Sequence, residues 1–140
     1  MTRKICVSFD YEKDRHYYHM LQAWDKNTDF DFTFEDCTPH EIQSNDIGRI
    51  KAVLTNKIRE ASHLLVIVGE DADRLHKDYR EIGYRNWQNY EVATAKKLTK
   101  KIVAVKIKYD NTPPEELYGA GAAWARSFTE DSIKRAINNA

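Results

Sequence analysis

The sequence predicts an α/β fold in which helices cover both faces of a parallel β-sheet, a three-layer sandwich. Short β-type runs alternate with segments of helical period along the 140 residues, which is the pattern of strands joined by crossover helices. Residues 30–34 alternate apolar and aromatic side chains with polar ones, as expected of an edge strand buried on one face. Residues 64–68 are apolar throughout, as in a central strand buried on both faces. The length indicates a single domain over residues 1–140.

The first half of the chain supplies two strands and two helices. The first strand is predicted over residues 4–9. A helix follows over about residues 13–24, where apolar side chains recur at positions i, i+3, i+4 and i+7: Tyr17, Met20, Leu21 and Trp24. After the edge strand and a polar loop over residues 35–45, a second helix carries its own apolar row: Ile47, Ile50, Leu54 and Ile58. Three residues of the types that cap helices precede it: Ser44, Asn45 and Asp46.

The second half completes a five-stranded sheet. Gly69 ends the third strand, and a polar segment over residues 70–85 follows. A loop of that length is typically functional unless it contains a short helix. A third helix is predicted over residues 86–98, a fourth strand over 102–107, a short fifth strand over 125–128, and a last helix capped by Thr129. An alternating second strand at an edge and an apolar third strand near the middle fit the flavodoxin-like order 2-1-3-4-5.

Composition excludes several classes of protein. Lys and Arg number 22, as do Asp and Glu, so the formal net charge is zero and no strong attraction to nucleic acid or to an anionic membrane is expected. No apolar stretch is long enough to cross a membrane, and the first residues do not form a signal peptide, so we expect the protein in the cytoplasm. Cys6 is expected to be a small buried residue, and Cys37 a free thiol in the loop after the second strand.

Glu91 is the most informative single position. On the third helix it belongs to a row that is otherwise apolar: Trp87, Glu91, Ala95 and Leu98. A carboxylate within such a row loses hydration and needs a partner or a catalytic purpose. The alternative is a glutamate at the edge of the row, with its carboxylate reaching water.

The strand order predicts where a ligand would bind. In this topology ligands bind beyond the carboxyl ends of the strands, between the first and third. Ser8, Phe9 and Asp10 reach that point at the end of the first strand. Asp36 follows the second strand in a similar position. The alternatives are that Phe9 belongs to the core and that Asp10 and Asp36 begin turns.

Other groups give weaker signals. His16 and His19 stand at i, i+3, but no third ligand accompanies them, and no metal site is predicted. The stretch over residues 119–121 is rich in glycine but lacks the preceding strand and following helix of a phosphate-binding loop.

The sequence resembles the bacterial TIR-like domains, particularly the small type that serves as the TIR sensor of Thoeris anti-phage defence. Three boxes carry the resemblance: residues 4–11 (KICVSFDY), residues 61–69 (ASHLLVIVG) and residues 87–91 (WQNYE) followed by Val92 and Ala93. The sharpest element is a tryptophan four residues before a glutamate on the helix after the third strand. Catalytic TIR domains carry their essential glutamate at that place.

The resemblance implies cleavage of NAD⁺ between nicotinamide and ribose, followed in many members by cyclisation to a cyclic ADP-ribose-type messenger. NAD⁺ would be the substrate, and no cofactor is implied. By resemblance, Glu91 would be catalytic, and the substrate-binding residues would be Ser8, Phe9, Asp10, Asp36 and Trp87.

The resemblance also implies partners. TIR enzymes often complete their site by stacking into homo-oligomers through TIR–TIR contacts, with the loop here at residues 36–45 supplied by a neighbour. A phage-derived trigger and a downstream nucleotide-sensing effector would accompany the enzyme. Two features depart from relatives: Gln88 stands where many plant TIR domains have cysteine, and residues 12–14 replace the glycine-rich entry loop of animal and plant TIR domains.

Two other classes of function compete with an NAD⁺-cleaving enzyme. A non-catalytic TIR-like adaptor that acts by self-association is the serious rival, because fold alone does not distinguish it. A receiver or flavodoxin-like domain fits less well. The first strand is followed by the single acid Asp10 rather than an acidic pair, the third ends in Gly69 rather than an aspartate, and no Ser/Thr-rich phosphate loop follows the first.

Overall fold

A computed structural model describes residues 3–26 and 31–140. Its five strands form one parallel sheet with the order β2-β1-β3-β4-β5, which confirms the predicted α/β architecture and strand order. The strands are β1 Arg3–Ser8, β2 Phe32–Asp36, β3 His63–Val68, β4 Lys101–Lys106 and β5 Ala123–Trp124.

Helices lie on both sides of this sheet, and short polar side chains cap several of them. The helices are α1 Tyr11–Asp25, α2 Ile47–Glu60, α3 Tyr79–Ile82, α4 Trp87–Lys97 and α5 Glu130–Asn139. Asp46, Asn86 and Thr129 each accept a backbone N–H of the first turn of α2, α4 and α5. The caps at Asp46 and Thr129 were predicted, whereas the cap at Asn86 was not. The helix α3 occupies part of the polar segment over residues 70–85. None of the helices described is long and apolar enough to cross a membrane.

The core has two layers because successive strand side chains point to opposite faces of the sheet. Ile5 and Val7 pack with α1 and α5 on one face, whereas Cys6 packs with α2 and α4 on the other. Every residue of β3 is buried, as predicted for a central strand. Ser8 lies two residues beyond Cys6, so β1 ends with a hydroxyl directed toward α4.

Two strands differ from their predicted bounds by more than one residue. Phe30, where the second strand was predicted to begin, lies outside the described residues, and the described strand continues to Asp36 at the edge of the sheet. The fifth strand was predicted over residues 125–128, which is wrong, because β5 pairs with β4 through Ala123 and Trp124. Phe128 instead packs against the rings of α1.

The buried face of α1 is also shifted from the predicted one. Met20 was predicted to face the core but is 41% exposed. The buried residues of this helix are Asp14, Tyr18 and Leu21, spaced i, i+4, i+7. The prediction for Met20 was wrong because apolar periodicity identifies a buried helix face from apolar residues alone, and the buried residue Asp14 carries a carboxylate.

Asp14 fixes α1 against the end of β3. A Cβ built on Gly69 would overlap the Asp14 carboxylate, with its nearest oxygen, Oδ2, only 1.9 Å away. Glycine is therefore required after β3 for a steric reason, close approach of a side chain, rather than for an unusual backbone conformation.

We predict that Gly69→Ala destabilises the fold by about 1–3 kcal/mol, because the buried Asp14 side chain must move aside. Chemical denaturation measures the change. Gly48→Ala is the matched control: its added Cβ meets only Asp46 Oδ1, at 3.3 Å, and alanine in a helix is expected to be neutral or stabilising by up to about 1 kcal/mol. In a protein that already carries Asp14→Ala, Gly69→Ala should lower the free energy of unfolding by less, because the added Cβ no longer meets a carboxylate. If the effects of the two substitutions simply add, the close approach of Asp14 to Gly69 is contradicted.

Candidate active site

Glu91 and Ser8 meet at the carboxyl end of the central strands. Glu91 lies on the second turn of α4, and Ser8 ends β1 beside Val66 of β3. Ser8 Oγ donates a hydrogen bond of 2.7 Å to Glu91 Oε1. Ser8 and Glu91 are 0% and 1% exposed. The alternative in which Glu91 reaches water at the edge of its helix face is therefore wrong.

The Glu91 carboxyl is only partly satisfied. Its second oxygen, Oε2, is buried and has no hydrogen-bond partner among the described residues. The thiol of Cys37 lies close enough to the same carboxyl to influence its pKa. Burial raises the pKa of Glu91 well above its usual value, and the Ser8 hydroxyl and the nearby thiol oppose that rise. The site thus holds a dehydrated carboxyl with one oxygen open to a new partner.

A cleft of about 550 Å³ opens next to this pair; Phe9 and Gln88 line it, whereas Ser8 and Glu91 themselves do not. Its walls come from four segments: the β1–α1 junction, the residues after β2, the residues after β3 and the start of α4. Phe9, Asp10 and Trp87 all line it. Glu91 lies one helical turn beyond Trp87, behind the wall of the cleft.

Backbone and side-chain contacts fix the segment after β2 next to Glu91. Cys37 N–H donates to the Val7 carbonyl at 3.0 Å. Asp36 Oδ1 accepts both the backbone N–H and the hydroxyl of Thr38, at 2.8 and 2.6 Å. Lys57 Nζ donates to the Asp36 carbonyl at 3.0 Å. Asp36 does not line the cleft, so its carboxylate shapes the segment that covers Glu91.

Gln88 ties α4 to the strand ends. Its Nε2 donates to the backbone carbonyls of Ser8 and Ile67, at 3.3 and 3.0 Å. Because those carbonyls belong to β1 and β3, one side chain sets the position of the helix at the topological switch point. Sequence reasoning noted Gln88 only as a departure from plant TIR domains and missed this role.

A second group of carboxylates lies at the strand ends. Asp10 caps α1 by accepting the Glu12 N–H, and burial raises the pKa of Asp10. Asp14 has a buried Oδ2 that finds no hydrogen-bond partner in residues 3–26 or 31–140. Burial, together with Asp10 and Asp71, raises the pKa of Asp14 to about 6. Asp14 was not predicted as a site residue, although its i, i+4, i+7 spacing with Tyr18 and Leu21 places it on the same face of α1 as those two residues.

The structure places the remaining candidates as follows. Phe9 stacks on Tyr18 at 5.1 Å and belongs to the core while lining the cleft. His40 stacks on Tyr11 at the cleft, with ring centroids 3.6 Å apart. Cys37 is a free thiol after β2, as predicted, and it is buried; its interaction with Cys6, its burial and the nearby Glu91 carboxyl raise its pKa. The described residues contain no group of three or more side chains arranged to hold a metal.

A parallel sheet with this strand order and a buried glutamate on the helix after residues 70–85 defines a TIR-like α/β domain. The family described as "Thoeris protein ThsB, TIR-like domain" matches residues 6–112. The chain belongs to that family, which places it among the domains of Thoeris anti-phage defence.

Comparison of structures supports the fold. A prokaryotic SEFIR domain superposes with a TM-score of 0.54 and 13% identity, covering 99% of this chain and 89% of its own. A 2-desoxiribosyltransferase from Leishmania mexicana superposes with a TM-score of 0.53 and 14% identity, covering 94% of this chain and 81% of its own. At such identities the likeness concerns the fold alone. No curated protein sequence matches the chain.

We predict that Asp14→Asn becomes progressively more stable relative to the wild type as pH rises from about 4 to about 7. The folded-state pKa of Asp14, about 6, lies above its unfolded value of 3.8. Its contribution to stability is therefore complete below the unfolded pKa and is lost as pH rises through the folded one. Asparagine has no such dependence. Unfolding free energies of both proteins across this range test the prediction, and a difference that is flat or falls with pH contradicts it.

Proposed function

We propose that this TIR-like domain cleaves NAD⁺ between nicotinamide and ribose and releases a cyclic ADP-ribose-type signalling nucleotide in anti-phage defence. The observation that carries the proposal is the buried Glu91 carboxyl, hydrogen-bonded to Ser8 on one oxygen and unsatisfied on the other, beside a cleft at the switch point of the sheet. Buried unsatisfied carboxyls are costly and concentrate at functional sites. An adaptor that acts only by self-association has no use for one.

The chemistry suits a single carboxylate. Nicotinamide leaves from a pyridinium cation as a neutral molecule, so its departure needs no proton donor. The positive charge left on the ribose resembles the oxocarbenium ion of glycoside hydrolysis. A negative charge held in a dry site stabilises that ion strongly. Attack on the ribose, by water or by an atom of the same molecule, then releases one proton, which the Glu91 carboxylate accepts.

The raised pKa of Glu91 fits this scheme. Without substrate, burial favours the neutral acid, which avoids an isolated charge in the core. A bound pyridinium nucleotide brings a positive charge that favours the ionised form. Ser8 holds Oε1, and the open Oε2 is available to the ribose hydroxyls. Phe9 and Trp87 shape the cleft beside it, and Asp10 adds negative charge at the strand end.

Substrate access requires movement, because Glu91 is 1% exposed and the Cys37 thiol lies close to its carboxyl. We propose that assembly into a homo-oligomer through TIR–TIR contacts displaces the segment after β2, that a phage-derived trigger promotes assembly, and that a nucleotide-sensing effector reads the product. Asp36 belongs to this moving segment and meets the substrate only after the displacement.

We predict that Glu91→Gln lowers NAD⁺ cleavage at least 10²-fold, because the amide keeps the shape and loses the charge. The folded protein should be at least as stable as the wild type near neutral pH, since a buried acid with a raised pKa is removed. Chromatographic loss of NAD⁺ at high protein concentration and thermal unfolding measure the two effects. Glu60→Gln, at the exposed end of α2, is the matched control and should keep full activity.

Undiminished turnover in Glu91→Gln removes Glu91 from the mechanism. A wild-type protein that self-associates with its trigger and consumes no NAD⁺ supports the adaptor instead.

We predict that Ser8→Ala lowers kcat about tenfold near neutral pH and shifts the acidic limb of the pH–rate profile to higher pH. The Ser8 hydroxyl lowers the pKa of Glu91, so its removal raises that pKa further and leaves less carboxylate at a given pH. Activity should recover partly as pH rises. A uniform loss at every pH would mean that Ser8 acts on the substrate rather than on the ionisation of Glu91.

A further inference from the structure

The outer wall of the cleft comes from the segment between β3 and α4. Four successive residues of this segment line the cleft: Arg74, Leu75, His76 and Lys77. The residues that follow β2, Thr38 to His40, line the same cleft. The mechanism proposed above uses none of these four side chains.

This wall is held in place by hydrogen bonds. Asn86, the cap of α4, donates from Nδ2 to the carbonyls of Ala72 and Arg74, both at 2.9 Å. The His76 N–H donates to the Arg85 carbonyl at 2.7 Å. The backbone that carries the four side chains is therefore tied to the start of the helix that bears Glu91, so the wall and the buried carboxyl are positioned together.

The wall presents cationic groups that are weakly engaged. The Arg74 side chain is 74% exposed and approaches one carboxylate, Asp71, at 3.6 Å. Lys77 has no partner within the described part of the chain. By contrast, Lys13 is paired with both Glu70 and Asp71, at 2.7 and 3.1 Å. Arg74 and Lys77 therefore remain available to an anion, whereas Lys13 is already neutralised.

His76 offers a further donor. Its Nδ1 accepts the backbone N–H of Asp78 at 2.9 Å, so in the neutral ring the hydrogen lies on Nε2. A neutral His76 can thus donate from Nε2 without being protonated.

Three acids line the cleft: Asp10 and Glu12 at the β1–α1 junction, and Asp71 after β3. Asp10 accepts the Glu12 N–H, and Asp71 is shared between Lys13 and Arg74. The first residues of α4 also line the cleft, and a helix N-terminus carries a partial positive charge. Asp10 and Glu12 therefore give the β1–α1 side of the cleft negative charge, whereas Arg74 and Lys77 give the outer wall positive charge.

We propose that Arg74, His76 and Lys77 form a diphosphate-binding subsite, which orients a dinucleotide with its cationic nicotinamide end toward Glu91. This rests on the proposed function for the identity of the substrate. A dinucleotide of this kind carries its negative charge on the diphosphate and its positive charge on the pyridinium, so its charges match the two sides of the cleft. Leu75, 49% exposed between the cations, supplies apolar surface to the adjoining nucleoside.

The test measures binding separately from cleavage. Calorimetric titration of the assembled wild-type protein with ADP, ADP-ribose and adenosine is compared with the same titrations of R74Q/K77Q. We expect the double variant to bind ADP and ADP-ribose at least about tenfold more weakly, with a smaller dependence on salt, and to bind adenosine unchanged. The matched control is K108Q/R126Q, which removes the same charges from exposed positions away from the cleft and should change ADP affinity less than twofold.

The outcomes separate this proposal from the proposed function. If R74Q/K77Q binds ADP as tightly as the wild type, or the wild type binds neither ADP nor ADP-ribose, the subsite is overturned, whether or not NAD⁺ is cleaved. If ADP binding depends on the two cations and the protein consumes no NAD⁺, the subsite stands and the catalytic proposal fails. In an active protein, we expect R74Q/K77Q to raise KM for NAD⁺ about tenfold with a smaller change in kcat.

Discussion

The 2.7 Å hydrogen bond between Ser8 and Glu91 is the contact on which the site depends. It joins the end of β1 to the second turn of α4, and both side chains are buried there. Gln88 reinforces the same junction by donating to carbonyls at the ends of β1 and β3. A carboxyl held this way cannot swing out to be hydrated, so its ionisation is governed by whatever charge occupies the cleft.

Burial at the strand ends has a cost that the rest of the molecule offsets. Glu91 and Asp14 each bury an oxygen that lacks a hydrogen bond, and burial raises the pKa of both. Two continuous apolar layers on the faces of the sheet provide the stability that tolerates these groups. The covering segment after β2 is held by the polar contacts of Asp36 and by the burial of Cys37 and Thr38, which are 0% and 1% exposed.

Much of the fold could be predicted because strands and helices of a parallel sheet carry regular patterns. The all-apolar β3, the caps at Asp46 and Thr129, and the strand order followed from local periodicity and turn chemistry. The bounds of the second strand and the position of β5 could not be predicted in this way. A strand of two residues leaves almost no pattern, and its partner in β4 decides its position. Apolar periodicity also predicted that Met20 lies on the buried face of α1, whereas Asp14 is buried there instead. Such a prediction considers apolar residues only, so it misses polar residues that tertiary contacts bury.

The sequence by itself determined the order of the sheet and placed Ser8, Asp10 and Glu91 at strand ends or helix starts near the switch point, because topology follows from patterns along the chain. Only the tertiary structure decided which of these side chains touch, that Glu91 is enclosed with one oxygen unsatisfied, and that Asp36 shapes a covering segment rather than the cleft. Those properties depend on distances between segments remote in sequence. Periodicity fixes the face on which a residue lies but does not fix how closely another element packs against it.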